Sequence, residues 1–86
     1  MKLFRQVSIW SRLDHKRAVR FNCVEDMSAH VFAVQSADIF TIPIKNEHLA
    51  YFEKLFPERF IEADWAERKW FESIDDAIAA FDREFQ

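Results

Sequence analysis

The first half of the chain alternates apolar and polar residues with the two-residue period of a β-strand. Two runs, LFRQVSIWSRL and RAVRFNCV, are rich in β-branched and aromatic residues and are separated by the polar tripeptide DHK. In the second run, Val19, Phe21 and Cys23 fall on one face. A third apolar run starts after the polar stretch EDMSA. The pattern predicts three strands, over about residues 3–13, 17–24 and 30–42.

The turn between the first two strands decides which of their faces meet. If residues 14–16 form a three-residue turn, Ile9 pairs with Phe21 and Val7 pairs with Cys23, so the apolar sets join. A two-residue turn would instead place polar side chains of the first strand beside the apolar side of the second. Because a slip of one residue moves every side chain to the other face, we expect the three-residue turn.

The third strand contains a polar interruption, QSAD, at residues 35–38. Unbroken alternation after Val34 would place Ser36 and Asp38 on the apolar face with Phe21, where an unpaired carboxylate is costly. We therefore expect a β-bulge or a strand end at Gln35–Asp38, with the polar side chains bonding the freed backbone groups. Pro43 then confines the following residues to an edge or exit segment.

The second half of the chain has helical spacing. We expect Asn46 to cap the segment EHLAYFEKLF, Pro57 to begin a second segment, and Ser73 to cap a third with an amphipathic pattern. The apolar stripe of the third segment consists of Ile74, Ala77, Ile78, Phe81 and Phe85. The predicted helices cover about residues 47–56, 57–68 and 74–85. Together these elements predict a single α+β domain over residues 1–86, a three-stranded antiparallel meander followed by two or three helices packed on one face.

Composition narrows the class of protein. Half of the residues are hydrophobic, and ten Phe and three Trp provide large side chains for one core. The chain has no glycine, which excludes glycine-rich phosphate-binding loops and requires turns built from Asn, Asp, Ser or His. The single cysteine, Cys23, fits a reducing compartment, and neither a signal-peptide pattern nor a membrane-spanning run is present in the sequence. We expect a cytoplasmic protein without membrane contacts.

Charge is unevenly distributed along the chain. Residues 1–24 contain six basic groups and one acidic group, a charge of +5, whereas residues 25–86 carry −8, which gives the total of −3. On the non-core face of the predicted hairpin, aromatic, basic and amide side chains collect, and these are the candidate binding residues: Phe4, Trp10, Arg12, Arg20 and Asn22. Such a face suits a protein interface or single-stranded nucleic acid. A third alternative is that helices cover it and their acidic groups pair with the arginines.

Catalytic and metal sites find little support in the spacing. Ser36 and Asp38 are candidates for a nucleophilic triad with one of the three histidines, but alternate strand residues lie about 6.5–7 Å apart. No glycine-flanked nucleophile turn is present. Cys23 and the histidines have no metal-ligand spacing. We expect no catalytic residues, no metal and no cofactor.

The segments FAVQSADIF and WFESIDDAIAAFD carry a resemblance. In kind and order they resemble a set of short bacterial proteins of uncharacterised function, and the resemblance loosely covers the whole chain. It implies a self-contained cytoplasmic domain with strands followed by helices, and no activity.

These observations favour a small non-enzymatic module, an adaptor, inhibitor or regulator, that binds a protein partner or a second copy of itself as a homodimer. Single-stranded nucleic-acid binding through the basic, aromatic face is the alternative, and the net charge of −3 weighs against it. A small enzyme is a more distant third, which a deep pocket lined by a histidine and an acid would support.

Overall fold

The chain forms a three-stranded sheet followed by two helices. The computed structural model describes residues 1–84. Its elements are β1 (Phe4–Arg12), β2 (Arg17–Asp26), β3 (Val31–Thr41), α1 (Asn46–Glu62) and α2 (Ile74–Glu84). The sheet is an antiparallel meander with strand order β1-β2-β3, so the predicted α+β class is confirmed. Phe85, and with it the predicted helix end, lies outside the described residues. No helix within residues 1–84 is long and apolar enough to cross a membrane.

The pairing of β1 with β2 follows the three-residue turn. Val7 lies opposite Cys23 and Ile9 lies opposite Phe21, as expected. The Asp14 carboxylate closes this turn by accepting hydrogen bonds from the backbone N–H groups of Lys16 and Arg17, at 2.8 and 2.9 Å. In the next turn, the Asp26 carboxylate accepts from two backbone N–H groups, and His30 adopts a left-handed φ of 56°. In a chain without glycine, these turns thus use aspartate side chains to bond the backbone and a histidine to adopt the left-handed conformation.

A β-bulge interrupts β3 where the sequence becomes polar. Cys23 lies opposite Val34, but the preceding residue Asn22 lies opposite Ser36, so Gln35 is the extra residue. The predicted bulge is confirmed. Its effect is to reverse the alternation, because Ala37 rather than Ser36 now joins Phe21 on the apolar face.

The two helices pack on opposite faces of the sheet, which corrects the expectation of one covered face. On the face that carries Phe21, which we call the α2 face, the Phe21 ring meets Phe81 of α2 edge-on, with ring centres 6.2 Å apart. On the other face, the α1 face, Phe40 meets Phe52 of α1 with ring centres 5.0 Å apart. Because the apolar residues of the sheet occur on both faces, both need a cover.

The core of the α2 face is small. Its fully buried members are Phe21, Cys23, Val34 and Ala77. Ile78 and Phe81 pack against this core but remain partly exposed. Ser73 caps α2 as predicted, since its hydroxyl accepts a hydrogen bond from the N–H of Asp76 at 3.1 Å.

Helix α1 continues through Pro57 instead of breaking there, which corrects the prediction of two segments. Phe52, Phe56 and Phe60 follow each other at four-residue spacing, and contacts of Phe52 with Phe40 and of Phe60 with Phe4 fix both ends of this stripe on the sheet. These contacts offset the hydrogen bond that proline removes. The helix begins after Lys45, so Asn46 is its first residue and not its cap, and it ends at Glu62, before the predicted residue 68.

Candidate functional site

The five predicted binding residues occupy the α1 face, but the structure does not bring them into one open surface. Arg20 and Asn22 are buried beneath α1, and Phe4 is half-buried at one end of the sheet. Trp10 and Arg12 are exposed at the other end. The predicted continuous face is therefore divided into a covered polar centre, an aromatic cluster and an exposed Trp10 region.

Arg20 is the centre of the covered region. Its Nη2 atom donates to Asp38 Oδ2 at 3.1 Å and its Nη1 atom donates to Glu53 Oε1 on α1 at 2.7 Å. The side chains of Arg20 and Asp38 are only 9% and 7% exposed, whereas that of Glu53 is 57% exposed. Burial alone would lower the pKa of Arg20, but the hydrogen bonds to Glu53 and Asp38 raise it above its ordinary value. The guanidinium is thus a permanent buried cation.

Asn22 joins this network through its amide nitrogen. The Nδ2 atom donates to Asp38 Oδ2 at 2.8 Å and to Ser36 Oγ at 3.1 Å. Two of the QSAD residues therefore bond side chains of β2, not the freed backbone groups that the sequence led us to expect. Gln35 alone reaches a backbone group, since its Nε2 atom donates to the carbonyl of Phe56 at 3.1 Å. The bulge turns these polar side chains to the α1 face, where Gln35 bonds α1 directly and Asp38 is connected to it through Arg20.

Phe4 belongs to an aromatic cluster. Its ring lies 5.5 Å from Phe60, 5.9 Å from Trp65 and 6.1 Å from Trp70, between ring centres. The indole N–H of Trp65 donates to the carbonyl of Phe60 at 2.9 Å, so the segment that follows α1 is bonded to the last turn of that helix. Phe4 is therefore half-buried among three aromatic rings and is not available as an open anchor.

Trp10 is exposed but held in place. Its side chain is on the α1 face and the residue is 54% exposed. One side of the indole lies against Phe40, with ring centres 5.3 Å apart, and the Arg20 guanidinium lies 5.7 Å from the ring centre. Since Arg20 is itself fixed by two carboxylates, the indole rests on a rigid support.

A row of aromatic rings extends from Trp10 to the start of α1. Phe40 contacts Phe52, and Phe52 contacts Tyr51 with ring centres 5.7 Å apart. The two ends of the row are exposed, since Tyr51 is 59% exposed. Tyr51 could not be selected from the sequence, because its exposure depends on how α1 packs on the sheet. We call the surface formed by Trp10, Arg12 and Tyr51 the Trp10 surface.

The basic charge of the first segment is largely neutralised by ion pairs. Lys2 pairs with Asp26 at 3.2 Å, Arg5 with Glu25 at 2.5 Å and Arg17 with Asp14 at 2.9 Å, in addition to the pairs of Arg20. Hydrogen bonds from the Lys16 N–H and the Arg17 side chain lower the pKa of Asp14.

Arg12 and Lys16 are the two basic groups of this segment that have no ion pair within residues 1–84. The charge segregation seen in the sequence is thus mostly internal pairing, and Arg12 is the remaining cation beside Trp10.

A groove that was not predicted from the sequence lies on the surface. It is enclosed by three parts of the chain: β3, the segment that precedes Phe71, and α2. Its volume is about 720 Å³. Arg68, Lys69 and Arg83 contribute positive charge to its wall, beside two glutamates. The Arg68 guanidinium is partly engaged, since it lies 5.3 Å from the Trp65 ring centre and its Nη1 atom donates to the Val34 carbonyl at 3.4 Å. The groove adjoins the end of α2, where Arg83 and Glu84 line it.

The candidate triad does not form around the QSAD segment. Ser36 and Asp38 are engaged with Asn22 and Arg20. His30 lies near Glu25, 3.8 Å between Nδ1 and Oε2. Within residues 1–84, no group of three or more His, Cys, Asp or Glu residues is placed to hold a metal ion. Cys23 is buried in the core, and burial raises the pKa of its thiol to about 11.

Comparison with known proteins gives no match: no family model, no curated protein and no solved structure matches this chain. The resemblance to short bacterial proteins stays a prediction.

Proposed function

We propose that the protein is a small non-enzymatic module that binds a partner protein through the Trp10 surface. The observation that supports this most is a tryptophan that is 54% exposed and yet packed against Phe40 and the Arg20 guanidinium. Tryptophan and arginine are the side chains most often responsible for binding energy at protein interfaces. An adaptor, an inhibitor or a regulator would each use such a surface.

The rigidity of the indole contributes to this proposal. A side chain that is ordered before binding loses less conformational entropy when it enters a partner's pocket. The buried ion pairs of Arg20 thus have a role at the surface, because they position the support on which Trp10 rests.

Arg12 indicates the chemistry of the partner. It lies two residues after Trp10 and therefore on the same side of β1, about 7 Å along the strand. It is exposed and has no ion pair within the described chain. A fitting partner surface presents an apolar pocket for the indole and a carboxylate near its rim.

Nucleic-acid binding, the alternative from the sequence, finds less support. Lys2, Arg5, Arg17 and Arg20 are paired with carboxylates, and Arg20 is buried. Phosphate binding would have to break these pairs, since affinity for nucleic acid depends on available Lys and Arg groups.

The test places a photo-crosslinking residue at Trp10, with the same residue at Ile61 as the control. Ile61 is an exposed apolar residue near the far end of α1. A partner protein cross-linked only from position 10 is then purified, and its dissociation constant is measured for the natural chain, for Trp10→Ala and for Ile61→Ala.

We expect Trp10→Ala to weaken binding about 30-fold or more, the effect of losing a binding hot spot, and Ile61→Ala to change it less than about 3-fold. The free energy of unfolding should fall by about 2 kcal/mol in Trp10→Ala, because nearly half of the side chain is removed from water at about 25 cal/mol per Å². Equal cross-linking from both positions would contradict the proposal. Salt-dependent binding of single-stranded RNA that is lost in Trp10→Ala would favour the alternative.

A further inference from the structure

The outer edge of β1 has no backbone hydrogen bond to another segment of residues 1–84. The sheet order makes β2 the only neighbour of β1 in the described chain. The N–H of Met27 donates to the carbonyl of Leu3, and the N–H of Leu13 donates to the carbonyl of Arg17. In an antiparallel pair this fixes the odd-numbered residues of β1 as those that bond β2. The backbone N–H and C=O groups of the even-numbered residues point outward: Phe4, Gln6, Ser8, Trp10 and Arg12.

This edge lacks most of the features that protect an edge strand. Soluble proteins protect edges with proline, bulges, charged side chains or covering segments, and of these β1 has the charges of Arg5 and Arg12, one toward each end. The nine residues of β1 contain no proline, and their pairing with β2 runs without a register shift. The other edge, on β3, is protected: Phe71 exchanges two backbone hydrogen bonds with Phe32, Arg68 contacts the Val34 carbonyl, and the bulge follows.

We propose that β1 pairs antiparallel with β1 of a second copy, about a two-fold axis through Ser8. The outward groups at positions 6, 8 and 10 then meet those at positions 10, 8 and 6 of the second copy. All three residues are exposed, so the centre of the edge is accessible. The product is one continuous six-stranded sheet, made of two three-stranded halves.

The side chains of β1 are self-complementary in this register. Val7 lies opposite Ile9 of the second copy on the α2 face, so two half-buried apolar residues become neighbours across the interface. On the α1 face, Phe4 lies opposite Arg12 of the second copy and Gln6 lies opposite Trp10, so Arg12 meets no like charge and stays available to the Trp10 surface. Arg5 lies opposite Ser11, so no two like charges face each other directly.

Self-pairing goes beyond the proposed function and does not depend on it. The dimer uses the backbone edge of β1, whereas the Trp10 surface uses side chains above the sheet. Pairing would place the two Trp10 residues on the same face of the extended sheet, about 14 Å apart along the strands, since four residues separate positions 6 and 10. A dimer would therefore present the Trp10 surface twice.

The decisive experiment is disulfide cross-linking of single-cysteine substitutions, Ser8→Cys against Ser11→Cys. Both serines are exposed on β1. The two-fold axis brings position 8 next to its own copy, at the Cα distance of about 5.5 Å that a disulfide can span, but leaves the two positions 11 roughly 20 Å apart. Cys23 is buried, so it stays in both variants.

We expect Ser8→Cys to form a covalent dimer at least about tenfold faster than Ser11→Cys at equal protein concentration. Equal rates for the two variants, or no cross-link from position 8, would overturn the proposal. A native mass of only the single 10.4 kDa chain at the highest soluble concentration would also overturn it.

A second pair of variants tests the hydrogen bonds of the edge. Ser8→Pro removes an outward N–H that makes no bond to β2, whereas Ser8→Ala keeps it. Because the symmetric dimer loses one bond from each copy, we expect Ser8→Pro to weaken dimerisation about tenfold or more and Ser8→Ala to change it little. Equal dimerisation of the two folded variants would refute the pairing. If Ser8→Pro does not fold, the cross-linking rates decide.

The two proposals can fail separately. If Trp10→Ala loses partner binding while its dimerisation is unchanged, the result bears on the Trp10 surface and leaves the edge pairing unaffected. If Ser8→Pro is monomeric and still binds the partner, the result bears on the edge of β1 and shows that each copy binds the partner alone.

Discussion

Replacing Asp38 by asparagine should destabilise the protein strongly, because it removes one charge from a buried ion pair. The substitution keeps the size of the side chain and an oxygen that accepts the hydrogen bond from Asn22. What it removes is the negative charge 3.1 Å from the Arg20 guanidinium. Arg20 cannot release its proton, so the cation stays buried with Glu53 as its remaining carboxylate.

The expected loss follows from how deeply each partner is buried. Removing one member of a buried pair typically costs about 3–5 kcal/mol. Glu53 still contacts Arg20, so we expect about 3 kcal/mol, the lower end of that range, for Asp38→Asn. Glu53→Gln breaks a bond of similar length, but its side chain is 57% exposed, so we expect only about 0.5 kcal/mol. Arg20 Nε and Asn22 Oδ1 are buried with no hydrogen-bond partner among the described residues, so little else is present to compensate.

Urea unfolding followed by circular dichroism measures these differences, and thermal unfolding checks them. For a domain of this size, about 3 kcal/mol corresponds to a midpoint lower by roughly 15 °C. The double variant Arg20→Met with Asp38→Asn should be more stable than Asp38→Asn alone, because it also removes the buried cation that has lost its buried partner. Three results would show that the buried Arg20–Asp38 pair does not have this role: Glu53→Gln costs as much as Asp38→Asn, Asp38→Asn loses less than about 1 kcal/mol, or the two substitutions of the double variant are additive.

Two further predictions concern titratable groups. Cys23 of the native protein should react with a thiol reagent near pH 8 at least about 100-fold more slowly than in denaturant, because burial excludes the reagent and raises the thiol pKa to about 11. A native rate within about tenfold of the rate in denaturant would contradict the placement of Cys23 in the core. Burial alone would raise the pKa of Asp26, but hydrogen bonds from Lys2 and from the N–H groups of Ser28 and Ala29 lower it below the ordinary 3.8. A lowered pKa in the folded state means that this carboxylate stabilises the protein above pH 3.8 and that the contribution is lost as the pH falls through the lowered pKa. Asp26→Asn should therefore be less stable at neutral pH and should lose less stability on acidification. The free energy of unfolding in urea, measured at several acidic pH values, would refute this if it fell equally with pH in the variant and in the natural chain.

Much of the sheet could be predicted from local pattern. The alternation in β2 and the three residues before Arg17 were sufficient to choose the register, because only one register joins the two apolar sets. The bulge was predictable for a related reason, since an unpaired Asp38 on the apolar face would cost more than a local break in the ladder. The cap of α2 was also predictable, because the serine at position 73 and the aspartate at position 76 form a pattern within four consecutive residues. In each case the deciding interaction lies within a hairpin or a single turn.

The candidate site was predicted only in part. Five residues were correctly assigned to one face of the sheet, and Trp10 is exposed, but Arg20, Asn22 and Phe4 are covered. What covers them comes from α1 and the segment after it, more than thirty residues away along the chain. Hydrophobic periodicity shows that a helix has an apolar stripe but not which face of a sheet the stripe meets. Tyr51 was missed for the same reason.

The amino-acid sequence by itself determined the element order, the strand register and the place of the bulge, because these depend on neighbours along the chain and on the two-residue period of a strand. Only the tertiary structure decided that α1 and α2 lie on opposite faces, that α1 continues through Pro57, and that the basic groups of the first segment pair with acids. Those outcomes depend on contacts between distant segments, such as Phe52 with Phe40 and Glu53 with Arg20. Such contacts outweigh the tendency of proline to end a helix and the tendency of a charged side chain to remain in water.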